Sequence, residues 1–328
     1  MNILILNHAE VEQLLPFEEC IPVMAEALAA LARGDAHQPL RMVVRPPGAA
    51  GLMGLMPAYM AGDRAAYGLK AVCIFPGNAA RGKDAHQGGV LLFSAETGEL
   101  LALMNASAIT AIRTSAVSGV ATRLLARADA GDLAIVGAGV QARSHLAAMA
   151  CVRPIRRVRV ASRSPERAQA FAAELAPRYG FPIHAVETVE AAVRGADLIV
   201  TATTAAEPIV RREWIAPGAH LNVVGSSIPT TREVDTATMA AAALFVDRRE
   251  STLNEAGDYL FAMRDGAIGP EHIRAELGEL LVGGVPGRTA SDEITLFKSL
   301  GLAVEDLAAA DYVYRRAQAA GIGSWVDF

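Results

Sequence analysis

Hydrophobic and polar positions change rhythm along this chain, and each rhythm predicts a different kind of element. From about residue 7 to 33 the apolar residues recur at helical spacing. Asn7 and Glu10 stand at capping-box spacing before a short helix, and Pro16 opens a longer one that Gly34 and Asp35 end. Short apolar runs then predict strands at 41–45, 52–59, 69–75, 90–94 and 100–105, the last two joined by a hairpin-length loop containing Gly98. A long helix over about 108–127 follows, with Asn105 or Ser107 as its cap. From 132 to about 247 strand and helix alternate, with strands predicted at 133–136, 158–161, 183–186, 198–202, 221–224 and 244–246. One of the intervening helices begins at Ser164-Pro165, an N-cap followed by proline. Beyond residue 247 the pattern turns helical, and 294–320 reads as one long amphipathic helix that Asp292 and Glu293 begin and Gly321 and Gly323 end.

Strand–helix alternation after a mostly antiparallel start predicts an α/β fold with a Rossmann-type doubly wound domain and a second α/β domain before it. The stretch DLAIVGAGVQA (132–142) carries the first chemistry. An apolar strand runs into Gly137, Gly139 and Ala142, with Val140 and Gln141 opening the next helix. The first glycine makes the tight turn, the second lets a pyrophosphate approach the backbone, and the small third residue lets helix and strand pack closely. The helix start then offers its amides and positive dipole end to the phosphates. The next strand ends in Ser162-Arg163-Ser164, with no acid before Glu166. A carboxylate there would hold a ribose hydroxyl and repel a 2′-phosphate, so its absence beside a guanidinium predicts NADPH rather than NADH.

Composition sets limits. The chain has 328 residues, which suggests two domains. With 52% hydrophobic and 20% charged residues it has ample core, and a net charge of −5 without a basic stripe argues against nucleic-acid binding. No apolar run is long enough to cross a membrane, 239–246 being too short, and the first residues lack the features of a signal peptide. Cys20, Cys73 and Cys151 are odd in number and widely spaced, which predicts reduced thiols, no disulfide framework, no metal site and a cytoplasmic protein. Because the glycine turn comes after residue 130, a domain precedes it, and a cleft between the two domains is where the active site is expected.

Three cations occupy unusual settings. Lys70 lies in an apolar strand, YGLKAVCIFP, Arg45 ends the strand RMVVRP, and Arg113 sits on a helix whose first half carries few other charges. An inward-pointing cation without a nearby acid needs a partner, and a ligand carboxylate is one. Each alone fits an edge-strand charge or a cap partner; together they suggest a clamp for an anionic substrate. His86 is a second candidate proton donor beside Lys70, or simply a loop histidine.

The blocks QPLRMVV (38–44), LMPAY (55–59), HQGGVLLF (86–93), ITAIRTSAVS (109–118), GAGVQA (137–142), EPIV (207–210), PGAHLNVVGSS (217–227), REVD (232–235) and FKSLGLAVED (297–306) cover nearly the whole chain. In this ordered set the sequence resembles the ornithine cyclodeaminase/mu-crystallin family, and its ketimine-reducing, mu-crystallin-like members most closely. The resemblance implies a discontinuous substrate-binding and dimerisation domain, residues 1–118 with 302–328, around a dinucleotide-binding domain, residues 119–301. It implies a homodimer formed through the first domain's sheet. It assigns the carboxylate clamp to Arg45, with Arg41 of the same block as the alternative, and to Lys70 and Arg113. Cofactor contacts fall on the 137–142 turn, on Ser162, Arg163 and Ser164, on Thr203, and on Val224 to Ser226.

One position departs from the cyclodeaminases. They carry an aspartate after the VG of the fifth strand, where this chain has Ser227. Serine cannot serve as a carboxylate base or pair with an ammonium group. The resemblance therefore implies an NADPH-dependent reductase of small, cyclic 2-imino acids, with Ser227 hydrogen-bonding substrate or a water. Ornithine or lysine cyclodeamination, alanine dehydrogenation and a non-enzymatic carrier of NADPH and small ligands are the alternatives it leaves.

Overall fold

The first helix starts where its cap requires. Asn7 Oδ1 accepts the Glu10 amide at 3.1 Å and Glu10 Oε2 accepts the Asn7 amide at 2.8 Å, so two donors that a helix start leaves open are satisfied. The computed structural model describes residues 2–63 and 65–328. Strand β1 (Asn2–Leu6) precedes α1 (His8–Leu14) and α2 (Phe17–Arg33), and α2 ends on Gly34 in the left-handed conformation. Then come β2 (Ala36–His37), β3 (Met42–Val44), β4 (Leu52–Met60), β5 (Ala66–Ile74), β6 (His86–Ser94), β7 (Leu100–Asn105) and α3 (Ala106–Leu125). Asn105 Oδ1 caps α3 by accepting the Ala108 amide at 3.0 Å.

Strands and helices alternate next: β8 (Asp132–Val136), α4 (Val140–Val152), β9 (Arg157–Ala161), α5 (Pro165–Leu175), β10 (Ile183–Ala185), α6 (Val189–Val193), β11 (Leu198–Thr201) and β12 (His220–Val223). They continue as α7 (Thr236–Ala241), β13 (Ala243–Val246), α8 (Arg249–Glu255), α9 (Gly257–Arg264), β14 (Ile273–Glu276), α10 (Leu277–Leu281) and β15 (Thr295–Lys298). The chain closes with α11 (Ala303–Ala320) and β16 (Ser324–Asp327).

The chain forms two compact units, Met1–Thr114 with Gly301–Phe328, and Ser115–Leu300. Both partings fall slightly before the expected ones. The first lies inside α3, an uninterrupted helix that carries no local signal of a division.

In the first unit the strand order is β16-β1-β7-β6-β5-β4-β2, with β3 also paired to β4. Among the described residues only the β1–β7 pairing is parallel. Helix α11 packs on α2 and across β5 and β4. Gly68 makes that approach possible, because a Cβ there would stand 2.9 Å from Leu307 Cδ1 and 3.1 Å from its Cβ. The other face of the sheet is apolar too. Ile5, Leu103, Leu91, Leu69 and Pro57 stand in register across five strands, and none of them is buried.

In the second unit all eight strands are parallel, in the order β10-β9-β8-β11-β12-β15-β13-β14. Strand β8 sits where the order reverses, the switch point at which such sheets bind nucleotides. The expected helix over 294–320 is corrected here. Residues Thr295–Lys298 are a fully buried strand between β12 and β13, a turn follows at Gly301 (φ +80°), and only then does α11 begin. Long-range pairing on both edges overrides a local pattern that either structure fits. Asp292 and Glu293 consequently start no helix. The Asp292 carbonyl accepts the Gly218 amide, and Glu293 pairs with Arg274 at 2.7 Å.

Candidate active site

After β8 the chain turns on Gly137, whose φ of +115° suits glycine and whose missing side chain would collide with the Ala202 carbonyl. Gly139 is the N-cap of α4, and a Cβ there would meet nothing within 4 Å. That open space at a helix N-terminus, with Val140 exposed beside it, fits the close approach of a dinucleotide pyrophosphate. Ala142 is fully buried, as close packing of α4 on the sheet requires. The Gln141 carbonyl accepts His145 Nδ1 at 2.7 Å, so the ring's other nitrogen accepts the Ser118 hydroxyl at 2.9 Å. Burial holds that imidazole down at about 4, and the neutral ring fastens α4 to α3.

Ser164 caps α5 by accepting the Arg167 amide at 3.4 Å, and its hydroxyl donates to Glu166 Oε2 at 2.7 Å. Ser162 Oγ accepts the Ser164 amide, while the Arg163 side chain is exposed and makes no ion pair among the described residues. Thr203 is committed elsewhere, its amide and its hydroxyl each donating to Glu233 Oε1 at 2.8 Å. Ser226 is also occupied, its hydroxyl lying 2.5 Å from the Thr231 carbonyl. Val224 donates its amide to Thr201, and Ser227 is half-buried in the loop after β12 with no hydrogen bond among the described residues.

The cations gather in the first unit, with acids that the local sequence around them does not supply. Lys70 and Arg113 are each only 4% exposed. Lys70 Nζ lies 2.7 Å from Asp306 Oδ2, Arg113 Nε 2.8 Å from Asp306 Oδ1, and Arg113 Nη1 2.7 Å from Glu305 Oε2. Both acids come from the first turn of α11, and Glu305 also accepts the Leu302 amide that begins it. Burial, followed by the positive charge of Arg113, draws Lys70 down to about 8 against the pull of Asp306, and the charge on Arg41 acts in the same direction. His86, at the start of β6, is held below the usual imidazole range by the protein around it and then by the charges on Lys70 and Arg113.

Arg41, not Arg45, belongs to this cluster. Arg41 is half-buried and donates from Nη2 to the Gly301 carbonyl at 3.0 Å, whereas Arg45 is exposed beyond β3 and makes no hydrogen bond or ion pair among the described residues. All three residues of β3 are exposed, and Arg45 begins an exposed loop after it. Glu305 and Asp306 were not singled out from the sequence. Their one local signal is a pair of acids inside an otherwise apolar helix start, LAVEDLAAA.

A parallel sheet with a glycine turn at its switch point, in a chain that also buries cations paired with acids, suits a dinucleotide-dependent oxidoreductase. The comparisons agree. The mouse protein "Ketimine reductase mu-crystallin" is 42% identical over 297 residues, 90% of each chain. The structure of Thermococcus litoralis Delta(1)-pyrroline-2-carboxylate reductase in complex with NADH and L-proline matches with a TM-score of 0.95 at 40% identity, covering 98% of this chain and 99% of that one. An archaeal alanine dehydrogenase dimer with bound NAD matches with a TM-score of 0.94 at 33% identity over the whole of both chains. The model of the ornithine cyclodeaminase/mu-crystallin family matches residues 1–321, and the chain belongs to that family.

Proposed function

We propose that the protein reduces the C=N bond of a small cyclic 2-imino acid, such as pyrroline-2-carboxylate or piperideine-2-carboxylate, to the L-amino acid with a reduced nicotinamide dinucleotide. The buried Lys70–Asp306–Arg113–Glu305 cluster with Arg41 beside it carries this reading. Three cations against two acids leave positive charge for one substrate carboxylate. Arg41 and Arg113 hold that carboxylate, which fixes the orientation of the imine. Lys70, poised near neutrality, gives a proton to the substrate nitrogen and recovers one from water. The cofactor, when bound, supplies hydride to the imine carbon, so one hydride and one proton convert C=N to CH–NH. Ser227 favours reduction over cyclisation, since no carboxylate stands at that position to engage a side-chain amine.

Reduced-cofactor oxidation followed with both imino acids, and ammonia release from ornithine in parallel, tests the assignment. Turnover of the imino acids is expected. Ammonia release from ornithine faster than imine reduction would overturn it.

NADPH is preferred to NADH on the strength of Arg163, exposed where β9 ends and without an acid partner among the described residues. The Glu166 carboxylate nearby is engaged by Ser164. Arg163→Glu is expected to weaken NADPH far more than NADH; equal losses would remove this preference.

The protein is a homodimer in this reading, joined through the apolar outer face of the first unit's sheet. A cytoplasmic location accords with three free cysteines. Among the described residues no helix is long and apolar enough to cross a membrane.

A further inference from the structure

The REVD block contributes a fully buried acid that the reaction above does not use. Glu233 gathers four donors on its two oxygens. Oε1 accepts the amide and the hydroxyl of Thr203, each at 2.8 Å, and Oε2 accepts the Thr201 hydroxyl and the Gly225 amide, each at 2.7 Å. These donors lie at the carboxyl ends of β11 and β12. A side chain on Gly225 would collide with the Thr203 backbone, so the two strand exits touch directly across the Glu233 carboxylate.

A second buried acid lies behind the first. Asp258 Oδ1 accepts the Glu233 and Val234 amides at 2.6 and 3.0 Å. Its Oδ2 pairs with Lys298 Nζ at 3.0 Å, both side chains being wholly excluded from water. Lys298 also donates to the Ser226 carbonyl at 2.5 Å, which ties the loop after β12 to β15. Burial, and after it the charge on Asp258, pushes the Glu233 carboxyl up, while Lys298 and the hydroxyl donors oppose them. Each oxygen also faces one fixed backbone N–H, that of Thr203 or Gly225, so the geometry suits the carboxylate.

Two carboxylates and one ammonium thus leave one net negative charge, sealed from solvent beneath the strand exits that follow the switch point. Ligands of such sheets bind outside the carboxyl ends of the strands, and there an oxidised nicotinamide ring is positively charged while the reduced ring is neutral. We propose that Glu233, held with Asp258 and Lys298, is a positioning residue. It fixes the β11 and β12 exits and, through its buried charge, makes the protein bind the oxidised nicotinamide more tightly, relative to the reduced one, than the loops alone would. Tighter holding of the oxidised form favours hydride donation, the direction that imine reduction needs. The proposal rests on the assignment of a nicotinamide cofactor.

The test compares dissociation constants of the oxidised and reduced cofactor, NADP⁺ with NADPH and NAD⁺ with NADH, by calorimetry on wild type, Glu233→Gln, Glu233→Asp and Asp258→Asn. Folding is checked by circular dichroism. The ratio of oxidised to reduced dissociation constants should rise about tenfold in Glu233→Gln, about 1.4 kcal/mol. It should rise in Asp258→Asn as well, and stay within twofold of wild type in Glu233→Asp, whatever the absolute affinities do. A merely structural role would weaken both forms alike, and an unchanged ratio in Gln and Asn variants overturns the proposal. So does a ratio that rises equally in the Asp variant. If Glu233→Gln does not fold, Asp258→Asn decides alone. A wild-type protein that binds neither cofactor pair refutes the functional assignment instead.

Discussion

Lys70 Nζ and Asp306 Oδ2 stand 2.7 Å apart with almost no exposure to water, and the same carboxylate holds Arg113 through its other oxygen. One acid therefore holds two cations and supports the charge of one of them against burial. Lys70 must be protonated to act, and its ammonium form is lost as pH rises through about 8. Imine reduction should accordingly decline on the alkaline side of about 8. Asp306 is the charge that supports the ammonium, so Asp306→Asn should move that decline to lower pH. The kcat–pH profile checks it, and an unmoved alkaline limb would exclude Lys70 as the proton donor. Lys70→Met should lower kcat by roughly 10²–10⁴.

Arg41 and Arg45 offer a clean comparison, since both are arginines of one short block and only Arg41 stands with the cluster. Arg41→Ala should raise KM for the imino acid at least tenfold, about 1.4 kcal/mol or more of carboxylate binding. Arg45→Ala should change it less than twofold. Steady-state kinetics on the two variants checks this. Arg113→Ala is a poorer probe, because it removes a buried ion-pair partner from both Glu305 and Asp306 at a cost of about 3–5 kcal/mol in stability.

The two glycines of the turn differ in what they protect. Gly137→Ala strains a positive φ and strikes a carbonyl, so it should lower the melting temperature. Gly139→Ala has room within the fold and should leave the melting temperature alone while weakening cofactor binding at least tenfold. Thermal unfolding beside cofactor titration separates the two effects.

The outer sheet face should be the subunit contact. Leu91, in the middle of its apolar row, is the position to charge. Leu91→Arg should convert a dimer into monomers in sedimentation experiments while secondary structure persists.

Much of this architecture is legible locally. Strands β8, β11 and β13 are short and almost continuously apolar, because a parallel sheet covered on both faces leaves nothing to alternate, whereas β9 (RVRVA) and β12 (HLNV) carry a polar residue at every second position. What stayed hidden depends on partners distant in sequence. Strand β15 has the composition of either a helix or a strand, and only its two neighbours decide. Lys70 and Arg113 stand out in the sequence as cations without local acids. Their acids come from α11 after the chain has passed through the whole second unit. Arg45 is the expected clamp and Arg41 the alternative, and because the two flank the three-residue β3 at positions of the same parity, strand alternation cannot choose between them.

The place of β15 between β12 and β13 also governs assembly on the ribosome. Until residues 295–298 emerge, the sheet of the second unit exists only as two groups, β10-β9-β8-β11-β12 and β13-β14, with no strand pairing between them. The nascent chain must therefore keep exposed edges on β12 and β13 while nearly the entire protein is already synthesised, the interval in which unpaired strands recruit wrong partners. A chain released before residue 295 would carry both edges permanently, and its fate would be aggregation rather than partial function.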